Sequence, residues 1–238
     1  MKFASLIAQK HAHNFETKVP TVVFFGDSVT QGSFGALNDT DFPDMDAVYH
    51  KRLIDMIHDV CPGVQLGYIN AGIGGDSAVR AVGRIDRDVL CYHPDLIVVA
   101  FGLNDVPAGE KGIPAFKAAL AEIFDRCLAS GAEVVYLTPN MMNTVVQEEM
   151  DPSCKYYDFA HKTADCMQSG LMDRYIEAAK QTASERKVKV ADAYAKWKAL
   201  AGYRFDTTRL LANGINHPTR AMHRLFAETL FDTIFFTD

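Results

Sequence analysis

The sequence predicts an α/β fold, a parallel sheet with helices on both faces, and three observations point to it. Five short apolar runs are spaced along the chain, the stretches between them carry helical periodicity, and glycine-bearing turns follow several of the runs. Parallel strands are buried on both faces and therefore read as continuous apolar runs rather than alternating ones. At 238 residues, 48% hydrophobic and 23% charged, the chain suits a single domain, 1–238, with a sizeable core.

In chain order, the first strand is expected over 21–25, where Val22, Val23, Phe24 and Phe25 are apolar and Gly26 ends the run in a sharp turn. Further strands are expected over 65–70, 96–101, 133–137 and 188–191. Between the third and fourth, Phe116, Ala119, Leu120, Ile123, Phe124, Cys127 and Leu128 recur at helical spacing, bounded by Pro114 and Gly131. Leu171, Met172, Tyr175, Ile176, Ala179 and Ala183 mark a later helix. Ala221, Met222, Leu225, Phe226, Thr229 and Leu230 mark the last one. Such stripes are core faces. Residues 139–168 are too many for an ordinary connection. They read either as a lid or substrate wall, with Met141, Tyr156 and Tyr157 as wall candidates, or as an extra surface helix packing its own aromatics.

The formal net charge of −6 argues against nucleic acid or an anionic membrane as partner. No apolar segment approaches the roughly 20 residues that span a bilayer. The apolar stretch at 3–8 is too short for a signal-peptide core, so a cytoplasmic location is expected. Cys61, Cys91, Cys127, Cys154 and Cys166 include no CxxC pair and read as reduced thiols, with Cys127 in the core. His11 and His13 alone have a spacing that suits a metal, and they fall in a terminal segment expected to be mobile, so no metal site is expected.

Four segments carry candidate chemistry. In Gly26-Asp27-Ser28-Val29-Thr30-Gln31-Gly32, Ser28 falls at the mouth of a strand that opens into a helix. Free backbone N–H groups there favour negative charge, so a serine can attack a carbonyl while its own N–H holds the oxyanion. In Asn70-Ala71-Gly72-Ile73-Gly74-Gly75-Asp76 the glycines let a bare N–H approach a ligand. Asn104 in Gly102-Leu103-Asn104-Asp105 offers an uncharged side-chain donor. Asn213-Gly214-Ile215-Asn216-His217-Pro218 sets a histidine in a turn-like loop ahead of the last helix. Taken singly, each has a structural reading as a turn, a helix cap or a surface histidine.

Together, the blocks GDSxTxG, NxGxxGD, GxND and NHP resemble the SGNH hydrolases, the GDSL-type lipase and esterase superfamily, from about Val22 to His223. The resemblance implies a flavodoxin-like three-layer α/β/α sandwich with a five-stranded parallel sheet in the order 2-1-3-4-5, and chemistry that needs no metal or organic cofactor. It assigns Ser28 as nucleophile, His217 as general base, and Ser28, Gly75 and Asn104 as the oxyanion-hole donors. The family usually has an aspartate three residues before the histidine, where this chain has Gly214. A Ser28–His217 dyad assisted by the loop backbone is the favoured reading, with Asn213 as orienter or an acid supplied from elsewhere, Asp206 being the nearest upstream, as the alternatives. The implied activity is ester hydrolysis through an acyl-serine on small soluble esters, as a carbohydrate or short-chain acetyl esterase. A lysophospholipase or thioesterase would need a long apolar groove, for which Met141, Met142, Tyr156, Tyr157 and Phe159 are the candidates. A catalytically silent acyl- or sugar-binding module is the alternative from another class. The expected partner is a small-molecule ester, with neither nucleic acid nor membrane; homo-oligomerisation stays open.

Overall fold

The computed structural model of the chain describes residues 1–35 and 43–237. Strands β1 (Thr21–Gly26), β2 (Gly67–Gly72), β3 (Leu96–Ala100), β4 (Glu133–Leu137) and β5 (Lys189–Ala191) form one sheet, all parallel, in the order 2-1-3-4-5. This is the order that the resemblance implied. The chain turns to opposite sides of the sheet after β1 and β3, so a crevice opens at their carboxyl ends, where open α/β sheets bind ligands.

The central strands are legible because both their faces are covered: Val22 to Phe25 and Leu96 to Val99 are all buried. The edge strand β2 begins two residues later than its apolar run suggests. Its register is set by pairing, Thr21 with Gly67 through Gly26 with Gly72, while Val64 packs into the core ahead of the strand. The register carries β2 up to the turn that holds Ser28.

The helices are α1 (Lys2–Ala12), α2 (Ser28–Gln31), α3 (Tyr49–Val60), α4 (Ala78–Ala81), α5 (Ile85–Asp88), α6 (Ile113–Ala129), α7 (Tyr157–Gln168), α8 (Leu171–Glu185), α9 (Ala193–Gly202) and α10 (His223–Phe235). α1, α3 and α10 pack together in one layer, and α4, α6 and α8 in the other. The stripe on α6 is buried as expected from Phe116 to Cys127, whereas Leu128 is partly exposed. The terminal segment expected to be mobile is instead α1. It buries Phe3 and Ile7, and the Glu133 carboxylate accepts the N–H groups of Lys2 and Phe3 at 2.9 and 2.6 Å. That cap comes from a distant strand and has no local signature. His50 and His223 lie within the α3–α10 layer, where burial pushes their pKa values down to about 4 and about 3 and keeps both rings neutral.

In the long connection after β4, Pro139 to Asn143 is buried, and α7 follows from residue 157. Met150, Ala160 and Ile215 form a small apolar cluster of their own, with Tyr156, Tyr157 and Phe159 packed against it. The segment thus forms an extra helix that packs its own aromatics, with Tyr156 and Phe159 also lining a cavity at the crevice. No helix among the described residues is long and apolar enough to cross a membrane.

Candidate active site

The turn that holds Ser28 is built by close packing. A Cβ on Gly26 would run into Thr30 Oγ1 and the Ala100 carbonyl, so only glycine fits where β1 meets α2. Asp27 caps α2, its Oδ1 accepting the Val29 N–H at 3.0 Å, and Ser28 is the first helical residue. Gly32 ends the turn in the left-handed region at φ 97°, with its N–H returned to the Ser28 carbonyl.

The histidine is fixed from a second segment. Asn213 Oδ1 accepts the backbone N–H groups of Ile215, Asn216 and His217 at 3.0, 2.9 and 2.9 Å. An antiparallel bridge joins Leu211 and Pro218, and the His217 carbonyl accepts the Ala212 N–H at 2.7 Å. Two residues after β4 reinforce the loop, Asn140 by donating Nδ2 to the Asn216 carbonyl at 2.9 Å and Asn143 by donating its N–H to the Ile215 carbonyl at 2.7 Å. As a result His217 Nε2 stands 2.9 Å from Ser28 Oγ, with both residues buried. With Nε2 unprotonated, the serine hydroxyl donates to it, which is the arrangement a nucleophile and its general base need.

Gly75 sits in a tight turn at φ 71°, closed by the Asp76 N–H to the Ile73 carbonyl at 3.1 Å. Asn104 donates one Nδ2 hydrogen to the Asp76 carbonyl at 2.8 Å, and its second hydrogen is available to a ligand. Ser28, Gly75, Asn104 and His217 line one cavity of about 170 Å³ together with Tyr156, Phe159, Asn213, Ile215 and Asn216.

Several expected residues fall elsewhere. Met141 is buried in the main core and lies outside this cavity. Tyr157 packs edge-on against His161 at 4.8 Å and, one position after Tyr156 and two before Phe159, does not line the cavity that those two border. Asp206 is half-exposed, accepts the Thr208 N–H at 3.0 Å and pairs with Arg209 at 3.7 Å, and it does not line the cavity. Asn213 does not orient the imidazole directly. Its Oδ1 is taken up by three backbone N–H groups and its Nδ2 donates to Asn216 Oδ1 at 3.0 Å, so it acts on His217 through the loop backbone. Ile215 was missed as a wall residue although it stands two positions before the histidine. Asn140 and Asn143 were missed because nothing near them in sequence marks their partners.

Asp27 carries the strongest electrostatic perturbation beside the nucleophile. Burial raises its pKa to about 7, with the negative charges of Asp105 and Asp76 adding to the effect and the Val29 N–H opposing it. Its Oδ2 has no hydrogen-bond partner among the described residues. The sign of the linkage follows. An unfolded carboxyl titrates near 3.8, so between that value and about 7 the folded chain holds more protons, and Asp27 lowers stability as pH rises through this window. Asp27→Asn keeps the cap and removes the charge. Urea unfolding should show the variant gaining on the wild type from about pH 4 to pH 7, then levelling, by a few kcal/mol at most. A difference that stays constant across that range would contradict this reading of Asp27.

The chain matches the GDSL-like Lipase/Acylhydrolase family over residues 24–225. An acetylxylan esterase of Geobacillus stearothermophilus is 29% identical over 94 residues, a match spanning 36% of this chain and 39% of that protein. Among solved structures, Axe2, an acetylxylan esterase from Geobacillus stearothermophilus, aligns with a TM-score of 0.67 at 20% identity, covering 92% of this chain and 95% of Axe2. The acetyl xylan esterase AlAXEase aligns with a TM-score of 0.67 at 19% identity, covering 90% of this chain and 99% of its own. At these identities the structural likeness is one of fold.

Proposed function

Because the chain belongs to the GDSL-like Lipase/Acylhydrolase family, we propose that it is a serine ester hydrolase that removes acetyl groups from carbohydrates or other small soluble alcohols. The observation that carries this reading is the 2.9 Å contact between Ser28 Oγ and His217 Nε2 at a small cavity also lined by Gly75 and Asn104.

The steps follow from the groups present. Ser28 Oγ attacks the ester carbonyl as its proton passes to His217 Nε2. The tetrahedral oxyanion is held by the N–H groups of Ser28 and Gly75 and by Asn104 Nδ2, aimed where charge develops. His217 returns the proton to the leaving alcohol, which departs and leaves an acyl-serine. Water then gives a proton to His217 and attacks the acyl carbon. Collapse of the second intermediate releases the acid and restores Ser28 with the proton that His217 held.

Three observations favour a short acyl group. The cavity is about 170 Å³, with Tyr156, Phe159 and Ile215 bounding it. Met141 and Met142, which a longer groove would have recruited, are buried in the core. The relatives named above are acetylxylan esterases. Tyr156 and Phe159 present aromatic surface of the kind that packs against a sugar ring.

The test is hydrolysis of p-nitrophenyl esters from acetate to decanoate, followed by acetylated xylo-oligosaccharides. The expected result is kcat/KM highest for acetate and down by at least about 10-fold at octanoate, since each misfitting methylene is worth about 1–3 kcal/mol. Rates that rise with chain length would overturn the short-acyl assignment.

A further inference from the structure

We propose that Arg84 is a positioning residue that locks the oxyanion-hole donors into one rigid unit. Its guanidinium is buried at the carboxyl ends of β1 and β2 and spends its donors on three segments. Nη2 donates to the Gly26 carbonyl at 2.9 Å, two residues before Ser28. Nη1 donates to the Ala71 carbonyl at 2.8 Å and to Asp88 Oδ2 at 3.2 Å. Nε donates to Asp76 Oδ2 at 2.7 Å, and the plane lies over the Phe25 ring with Cζ 4.5 Å from its centre.

Two of these acceptors, Gly26 and Asp76, lie beside the donors in the reading given above, on which this inference rests. Gly26 leads into the Ser28 turn and also accepts the Ile73 N–H at 3.1 Å, which ties that turn to the Gly75 loop. Asp76 adjoins Gly75, and its carbonyl is the acceptor that orients Asn104. One side chain thus reaches the backbone carrying the Ser28 N–H and the residue beside the Gly75 N–H, and through Asp76 it reaches the Asn104 amide. Only arginine has a planar fork with five donors able to do this; a lysine ammonium is a point charge on a flexible stem. Even a buried guanidinium whose hydrogen bonds are met adds little net stability over a well-packed apolar side chain, so stability alone does not account for the placement. An oxyanion hole, by contrast, gains directly from rigidity, because its donors must stand about 2.7–3.1 Å from the developing charge before the reaction begins.

The molecule also offers a route for testing this. Arg84 lines a second, open cavity of about 230 Å³ with Ile69, Asn70, Arg87 and Tyr92, and that cavity shares no residue with the substrate cavity. A guanidinium ion can therefore reach the gap left by truncation without competing with the ester.

Arg84→Ala should lower kcat for p-nitrophenyl acetate by about 10²-fold while leaving KM within about 3-fold, the signature of lost transition-state stabilisation. Millimolar guanidinium, far below the molar concentrations that unfold proteins, should recover at least about 10-fold of the loss, and methylammonium should not. Arg84→Lys keeps the charge and serves if the alanine variant does not fold. It should lose at least about 10-fold in kcat at unchanged KM, with an equal loss of affinity for a trifluoromethyl ketone that mimics the tetrahedral intermediate. A folded Arg84→Lys enzyme with wild-type kcat would overturn the proposal, as would a folded Arg84→Ala enzyme that guanidinium leaves unrescued. Wild-type turnover that survives Ser28→Ala would instead overturn the hydrolase reading beneath it.

Discussion

Ser28→Ala is expected to lower kcat for p-nitrophenyl acetate by about 10⁴-fold or more, leaving only the rate that oriented binding and the remaining donors sustain. The hydroxyl oxygen is the atom that forms the acyl bond, and among the described residues no other serine, threonine or cysteine lines the cavity beside His217. Ser28 Oγ has His217 Nε2 as its hydrogen-bond partner, and the cap that builds the turn belongs to Asp27, so the fold should survive the change. Thermal unfolding close to that of the wild type, together with loss of turnover, separates a chemical role from a structural one. His217→Ala should cost a comparable factor, and the double variant should cost little more than either alone, because the two groups act as a unit. Retention of more than a hundredth of wild-type turnover in pure Ser28→Ala protein would contradict the assignment.

Gly72→Ala should also lower activity strongly, although Gly72 does not line the cavity. It ends β2 opposite Gly26, and a Cβ there would fall 2.7 Å from the Thr30 carbonyl carbon and 2.9 Å from the Asp27 carbonyl oxygen, as well as against the Gln31 amide nitrogen. All of these belong to the backbone of the nucleophile turn and cannot swing aside. Relief requires α2 to move, and with it Ser28. A displacement of about 1 Å costs on the order of 10²-fold in rate, and overpacking costs about 1–3 kcal/mol of stability. Gly74→Ala is the internal control. There a Cβ would meet only Gln31 Oε1, at 2.8 Å, the far end of a flexible side chain. Kinetics and urea unfolding of the two variants, measured side by side, should separate them widely; equal effects would mean that the packing of β2 against α2 does not set the position of Ser28.

The contrast between those glycines also shows what could be read from the chain. That Ser28, Gly75, Asn104 and His217 line one cavity was legible because each sits in a short block at a strand end or before a helix, where backbone geometry leaves a local mark. The buried strands β1, β3 and β4 were legible for a similar reason, since cover on both faces produces an uninterrupted apolar run. Edge strand β2 was displaced by two residues because its limits come from pairing with β1 rather than from its own composition. The aromatic lining of the cavity was half legible. Aromatic content marked the segment, but only the pitch of α7 decides that Tyr156 and Phe159 face the cavity while Tyr157 stacks on His161. Met141 was misplaced because an apolar residue after a strand reads the same whether it lines a groove or fills the core.

Residues that act by long-range hydrogen bonds left no trace. Arg84 reaches a carbonyl 58 residues before it, and Asn140 a carbonyl 76 residues after it. Neither stands in a motif, and a lone arginine in a helical stretch usually reads as a solvated surface residue. The departure at Gly214 has a partial explanation. With φ 65° and Gln147 Oε1 at 2.8 Å from where a Cβ would stand, that position favours glycine, and the neighbouring Asn213 organises the loop through its side-chain carbonyl. The histidine is thereby held through its own backbone.

The central claim is that Ser28 is a nucleophile activated by His217, and the most direct measurement is covalent labelling with a fluorophosphonate, read by intact mass and peptide mapping. The expected result is a single adduct per chain on Ser28, absent in Ser28→Ala and much slower to form in His217→Ala, with ester hydrolysis lost in step with labelling. An active wild-type enzyme that takes up no label, or takes it up on another residue, would contradict the claim.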